Sequence, residues 1–542
     1  MAGHRLLILG GGFGGLDVAR SIARSHAARG YWDTLLIDKE NFFQFNPLLP
    51  AIAVGAVETR HIVYPLREMA RHRRIRFIKN KVIAIDLEKK CVQLHNGLSE
   101  PYDTLVIAVG SVTNWYGVPG APANARPFKT IVDAMTLRAR VVELFEMAEQ
   151  ARSDDQRRRL LSFVIAGGGV TGVEVAAELI EMARETLLPR YPSLTDSHLS
   201  VTVLEGGERL VPAARPAHSE YVLRFLRRRG VRVELRALVT RVDPHAVTLA
   251  DGRTLEAFTC IWTAGVTPPD LVRRLPFRFH GDGRVIVDGQ LRAVRPDGSA
   301  VEDVYVIGDC AASLRADGRM QPQLSQTSIA MGTHLGESLA RRAEGKPPKP
   351  FAFHDAGYII SLGKHSSVLD LFGIPMSGKL AWLLWAGAYL VKMVGFRKQI
   401  EVGIDHLTHL WFEHDTSQIL NRRAVLSDDE LNLALADAPA SAGDAAGAAG
   451  RAPSTPAAPA EPRPETAPRA SRRRACSGSR PWQATGSSSP RTSAGVRWSS
   501  TRAGVPRRRT RSRRCSPRSS RAAPWTWWRS CVRNARCSPP MK

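Results

Sequence analysis

The first pattern in the chain is a short apolar run that ends in glycine. His4–Leu9 (HRLLIL) leads into Gly10, the mark of a buried parallel strand entering a helix. Asp33–Asp38 (DTLLID) reads as a second strand, and Tyr102–Gly110 (YDTLVIAVG) as a third that closes on a glycine turn. A polar, charged helix is predicted over residues 133–159, and then the pattern restarts. Leu161–Gly169 (LSFVIAGGG), Leu199–Glu205 (LSVTVLE) and Phe258–Gly265 (FTCIWTAG) repeat the theme, and Val301–Asp309 (VEDVYVIGD) adds one more strand. Strand–helix units written twice predict an α/β fold with two Rossmann-like dinucleotide-binding domains on parallel sheets. Residues 1–118 and 285–350 are expected to form one domain, with 119–284 inserted as the other.

Both sets begin with a glycine-rich turn. Gly10, Gly12 and Gly15 fit G-x-G-x-x-G, with Phe13 and Gly14 between them. In that pattern the first glycine makes the tight turn and the second lets the backbone approach a pyrophosphate. The third lets helix and strand pack closely, leaving the helix N-terminus aimed at the anion. The following strand ends in an acid, Asp38, at a spacing longer than usual, and a loop over residues 26–34 is expected to hold the excess. Gly167, Gly169 and Gly172 repeat the pattern, and their strand-end acid is Glu205, after an insertion at 189–198. A carboxylate there accepts hydrogen bonds from a ribose 2′-OH and repels a 2′-phosphate, which favours NADH over NADPH, with Arg209 nearby as a counterweight. Glu174 is expected in the first turn of the second helix. Two readings stay open for it on spacing alone: a carboxylate complementing the helix dipole, or a group beside the nicotinamide where the domains meet.

The segment 351–423 differs in kind. Leu380–Val391 (LAWLLWAGAYLV) is apolar throughout but shorter than the ~18 residues needed to span a bilayer. It reads either as a core helix or as an interfacial one. Trp382, Trp385, the flanking Lys379 and Lys392, and Arg397–Lys398 favour the interface, at an anionic membrane surface. Residues 400–412 form an amphipathic stretch beside it.

Charge changes the picture only at the end of the chain. Of the net +25, +20 falls in residues 451–542, where 22 Lys and Arg face 2 acidic residues. The body is mildly basic, and no nucleic-acid partner is expected for it. The region 424–542 is rich in Arg, Ser and Pro, and its last 92 positions hold no Leu, Ile, Phe, Tyr or Asp. It is expected to be a disordered tail. It reads either as a nucleic-acid- or lipid-binding arm, or as coding sequence read out of frame. Outside this tail only Cys91, Cys260 and Cys310 remain, with no C-x-x-C pair and no metal site expected. No signal peptide is recognised, so the body is expected to face the cytoplasm.

Taken together, Leu9-GGGFGG, Glu40-NFFQFNPLLP, Thr104-LVIAVG, Arg157-RRLLSFVIAGGGVTGVE, Cys260-IWTAG and Val304-YVIGD resemble the type II (alternative) NADH:quinone oxidoreductases. These belong to the two-dinucleotide-domain flavoproteins. The resemblance spans residues 5 to about 420. It implies FAD on the first turn and NADH on the second, with Asp309, after Gly308, on the flavin's ribityl chain and Asn46 and Pro47 close to its ring. It also implies a Glu174 near the flavin–nicotinamide contact, a membrane quinone as acceptor, and C-terminal helices that anchor peripherally to the membrane, expected at its cytoplasmic face; Gly110 and Gly265 are expected to bind cofactor. With no transmembrane helices and no intramembrane chain of ionisable residues expected, the protein is not expected to pump protons. The family's quinone motif, Ala-Gln-x-Ala-x-Gln, reads Ser325-QTSI-Ala330 here: Gln326 fills the first glutamine position and Ala330 stands at the second. Gln326 is read as a quinone-pocket residue, or as a helix-start side chain with no ligand. A homodimer is among the partners considered. Two competitors remain: a sulfide:quinone oxidoreductase, which needs reactive cysteines at the flavin, and a redox-sensing flavoprotein acting through a partner.

Overall fold

In the computed structural model, residues 3–430 are described, apart from 74, 316–317, 354, 394, 414, 418–419, 421 and 428–429. The basic tail from 431 onward lies outside the described residues.

Two parallel sheets organise the chain. The first runs in the order Arg292–Val294, Ala300–Val306, Thr104–Ile107, His4–Leu9, Trp32–Asp38, Arg76–Lys79, parallel except for the outermost pair that begins it. The second runs Ala125–Pro127, Thr259–Trp262, Ser162–Ala166, Ser200–Glu205, Arg232–Leu235, parallel throughout. Their central strands are buried on both faces, which is why they read as unbroken apolar runs. The chain leaves the first sheet after Thr104–Ile107, builds the second, and returns in Arg292–Val294 and Ala300–Val306. The two crossings, Val112–Thr113 and Val266–Thr267, pair antiparallel, and the Trp262 indole donates to Asn114 O (2.8 Å) beside them.

Three local differences from the sequence reading have plain causes. The single helix expected over 133–159 is two, Ile131–Glu149 and Asp154–Leu160, because Ser153 caps the second by accepting from the Gln156 N–H. The expected loop at 26–34 holds a short helix, His26–Tyr31, capped by the Ser25 hydroxyl, and the strand starts early at Trp32. Each parallel sheet also carries an antiparallel three-stranded meander, at Val82–Pro101 and Val239–Glu256, that the sequence reading did not anticipate.

The helices Phe13–Arg24 and Ser325–Ala343 approach closely through small residues. A Cβ on Gly332 would stand 2.2 Å from Gly14 O, and one on Gly336 2.5 Å from the Ser21 Cβ. After them, Gly357–Ser361, Ser367–Leu371 and Ile374–Gly378 form a meander, followed by helices Lys379–Lys392 and Phe396–Trp411. The second of these helices is pinned to the body by Asp405, which sits 2.6 Å from His61 Nδ1 and accepts from the Glu58 N–H (3.1 Å). The folded body runs past 424, where the tail was expected to begin. Val425 and Leu426 are buried, and Glu430 receives two hydrogen bonds from the buried Arg140 guanidinium (2.8 and 3.2 Å).

Candidate functional site

The two glycine turns are built alike, down to their hydrogen bonds. Each starts with a glycine at positive φ, Gly10 at 98° and Gly167 at 113°. The Gly10 N–H donates to Ile37 O and the Gly167 N–H to Leu204 O, both at 2.8 Å, so each turn closes onto the next strand. The third glycine of each turn sits against the first: a Cβ on Gly15 would stand 2.0 Å from Gly10 O, and one on Gly172 1.9 Å from Gly167 O. The middle glycines are the opposite case. A Cβ on Gly12 or Gly169 would meet nothing within 4 Å, and each residue starts a helix that no side chain caps.

An uncapped helix start leaves N–H donors without a protein partner. Where Ser, Thr or Asp would usually sit, both turns present bare backbone to a crevice at the carboxyl ends of the strands. That arrangement suits two pyrophosphates, one per sheet.

The strand-end acids reach back to the turns. Asp38 accepts from the Gly11 N–H (2.5 Å) and the Glu40 N–H (2.7 Å), and burial pushes its pKa up against the pull of those bonds. Glu205 accepts from the Gly168 N–H (2.8 Å) and the Gly207 N–H (2.7 Å). With one bond spent per oxygen, each carboxylate keeps lone pairs for ribose hydroxyls. Arg209 donates to Pro212 O (2.6 Å), so that guanidinium is engaged by a backbone carbonyl.

The first crevice continues away from its turn. Phe13 packs edge-on against Phe43 and Phe45 (ring centroids 5.0 and 5.8 Å apart), which brings the loop before Asn46 and Pro47 beside the glycines. Asn46 Oδ1 accepts from Gln44 Nε2 (2.6 Å), and Gln44 Oε1 accepts from the Ile131 N–H (2.8 Å). At the end of the central returning strand, Gly308 turns the chain at positive φ and Asp309 follows. Asp309 Oδ2 accepts from the Ser111 hydroxyl (2.6 Å), next to Gly110, and lies 3.3 Å from Lys129 Nζ. In the second sheet, Gly265 follows Thr259–Trp262, where a Cβ would strike the Tyr116 hydroxyl at 2.2 Å.

Glu174 lies in the second turn of its helix, Val170–Glu181, not the first, and is only 7% exposed. That position and burial argue against a carboxylate that complements the helix dipole. Its Oε1 accepts from the Ser361 N–H (3.0 Å), which joins the second-turn helix to the C-terminal meander. Burial raises its pKa to about 8, against the lowering effect of that bond. Tyr389, whose hydroxyl is also raised by burial and by the Glu174 charge, packs edge-on against Phe45 (5.9 Å). Glu174 is therefore linked through Tyr389 to the Phe45 loop of the first crevice, while its own helix starts at the second turn.

Two further buried carboxyls were missed: Glu178, and Glu181, which burial raises to about 7. Three glutamates at i, i+4 and i+7 on an otherwise apolar helix were a legible signal of one charged, buried stripe.

Gln326 stands at the start of the helix Ser325–Ala343. Its Nε2 donates to Asp355 Oδ1 (3.0 Å) and Gly357 O (2.8 Å), which spends both amide hydrogens on the protein. Cys260 and Cys310 are buried and their thiols are pushed up to about 12 by burial, so neither offers a thiolate.

On the C-terminal helices Leu380, Leu383, Leu384 and Val391 share one exposed face, and Phe396, Ile400, Ile404, Leu407 and Trp411 another. Trp385, expected at an interface, is instead 4% exposed and packed against Tyr389 and His406, whereas Trp411 is 85% exposed. No helix among the described residues is long and apolar enough to cross a membrane.

Residues 4–332 match the pyridine nucleotide-disulphide oxidoreductase family. The chain is 30% identical over 411 residues to the type II NADH:quinone oxidoreductase Ndh of Mycobacterium tuberculosis, covering 73% of this chain and 86% of that protein. It is 30% identical over 423 residues to a probable NADH dehydrogenase of Dictyostelium discoideum, covering 76% and 91%. In fold it is similar to NDH2 of Plasmodium falciparum solved in complex with NADH, with a TM-score of 0.70 at 19% identity, covering 76% of this chain and 99% of that one.

Proposed function

Since the chain belongs to the type II NADH:quinone oxidoreductases, within the pyridine nucleotide-disulphide oxidoreductases, we infer that it oxidises NADH and reduces a membrane quinone through a flavin. The observation that carries this reading is the pair of uncapped, bare-backbone turns, each with a strand-end carboxylate tied back to it. One turn suits a resident dinucleotide and the other a dinucleotide that enters and leaves.

FAD at the first turn would supply the hydride acceptor and the electron source for quinone. This chain's own residues bind, orient and manage protons. Gly10–Gly15 hold the pyrophosphate, Asp38 the adenosine ribose, and Asp309 with Asn46 and Pro47 the flavin end. Gly167–Gly172 and Glu205 do the same for NADH, and Glu205 rejects a 2′-phosphate by charge.

Converting NADH, one proton and a quinone into NAD+ and quinol requires a proton beyond the hydride. Glu174, protonated at neutral pH and linked to both crevices, is the group we assign to hold it. Gln326 orients the Asp355–Gly357 edge of the quinone pocket and offers the ligand only its carbonyl oxygen.

The exposed apolar faces of Lys379–Lys392 and Phe396–Trp411, with the exposed Arg397 beside them, support peripheral binding to an anionic membrane, whereas Lys398, expected to join Arg397 there, is spent on Glu401 and Arg60 O; the cytoplasmic face is the side we assign. Quinone would then enter from the lipid side. Sulfide oxidation is disfavoured by the buried, high-pKa Cys260 and Cys310.

The test is direct. Purified protein should be yellow, oxidise NADH faster than NADPH, and need added quinone for turnover. Bound flavin with negligible NADH:quinone turnover would favour a redox-sensing partner role instead.

A further inference from the structure

Lys129 is a cation that the two cofactor turns leave unexplained. It lies after the first crossing of the chain, between Ala125–Pro127 and the helix Ile131–Glu149, yet its side chain reaches the first crevice. Its Nζ is 3.3 Å from Asp309 Oδ2, and the side chain is about three-quarters buried. Gln44 holds the surrounding backbone. Gln44 Nε2 donates to Asn46 Oδ1 (2.6 Å) and lies 3.4 Å from Lys129 O, while Oε1 takes the Ile131 N–H. The Lys129 and Thr130 N–H groups are closed by Asp133 Oδ2 (2.9 and 2.7 Å). The lysine is therefore fixed from both ends, between the acid after Gly308 and the loop that presents Asn46.

We propose that Lys129 is a positioning residue that places a fixed positive charge beside the flavin and favours its electron-rich, reduced form. The inference rests on the reading of the first crevice as the flavin site. Charge near a flavin's ring nitrogens tunes its electronics, and partly desolvated charges act with little screening. Asp309 would otherwise leave a lone negative charge at this end of the crevice. With Lys129 present the pair is neutral; without it, added electrons meet an uncompensated carboxylate.

The experiment uses the flavin-loaded full chain and measures the flavin midpoint potential by spectroelectrochemistry, in the unsubstituted protein, Lys129→Gln and Lys129→Arg. Lys129→Gln keeps a donor for Asp309 and removes the charge. It is expected to lower the potential by about 30 mV or more, the equivalent of a tenfold shift in a two-electron equilibrium. Lys129→Arg is expected to restore most of that shift, and all three proteins are expected to carry the same flavin content. An unchanged potential in Lys129→Gln, an equal fall in Lys129→Arg, or loss of flavin from Lys129→Gln alone would overturn the proposal. Absence of flavin from the unsubstituted protein would instead overturn the reading on which it rests.

Discussion

Replacing Glu174 with glutamine isolates one charge from one shape. Glutamine keeps an Oε1 acceptor for the Ser361 N–H, so the bond between the second-turn helix and the meander survives. Only the ability to ionise is lost. Burial raises the folded-state pKa from an ordinary 4.5 to about 8. At about 1.4 kcal/mol for each pH unit between folded and unfolded values, full ionisation in the folded state costs on the order of 5 kcal/mol. The sign follows from proton binding. Below pH ~4.5 both states hold the proton and Glu174 has no effect on stability. Between ~4.5 and ~8 the unfolded chain releases the proton and the folded one keeps it, so stability falls as pH rises. Above ~8 the full cost is present. Glu174→Gln should therefore melt at nearly the same temperature as the unsubstituted protein at pH 5, and increasingly above it up to pH 8. From there the gap should level off. The assay is thermal melting by tryptophan fluorescence across pH 5 to 9, in matched flavin-loaded samples. A constant gap, or a gap that narrows as pH rises, would refute a buried, protonated Glu174. In turnover the same substitution should slow quinone reduction more than flavin reduction by NADH, since only the former needs the extra proton.

Gly169→Ala places its methyl where no protein atom lies within 4 Å, so the fold should be undisturbed while NADH affinity falls about tenfold or more, read by titrating flavin bleaching. Glu205→Ser should erode the preference for NADH over NADPH by about tenfold or more, seen as a change in the ratio of kcat/KM values. Charged substitutions on the exposed faces, Leu383→Glu with Ile404→Glu, should release the protein from anionic vesicles in a sedimentation assay while leaving NADH reduction of the flavin intact.

What the sequence made legible was local. Each glycine turn, its preceding strand and its following helix occupy a dozen residues, and the geometry of the turn restricts which residues can fill it. The acids Asp38 and Glu205 were legible because a strand end is fixed by the run before it. Less legible were contacts between residues far apart in the chain. Lys129 and Asp309 are separated by 180 positions, and nothing in either neighbourhood announces the other. The engagement of the Gln326 amide by Asp355 and Gly357 depends on how the meander returns over the helix start. Trp385 and Trp411 show the same limit on a helix surface: composition marked an apolar, tryptophan-bearing segment, but packing decided which tryptophan turned inward. The division of 133–159 into two helices was within reach, since Ser153 stands ahead of Asp154 and Asp155 as a cap would.

The central claim is that two electrons enter from NADH at the second turn and leave to quinone from a flavin at the first. Stopped-flow mixing of the purified protein with NADH under anaerobic conditions should bleach the flavin absorbance in one fast phase. A second mixing with a soluble quinone should recolour it at a rate sufficient to support steady-state turnover. Flavin that NADH does not bleach, or that stays bleached in the presence of quinone, would contradict the claim.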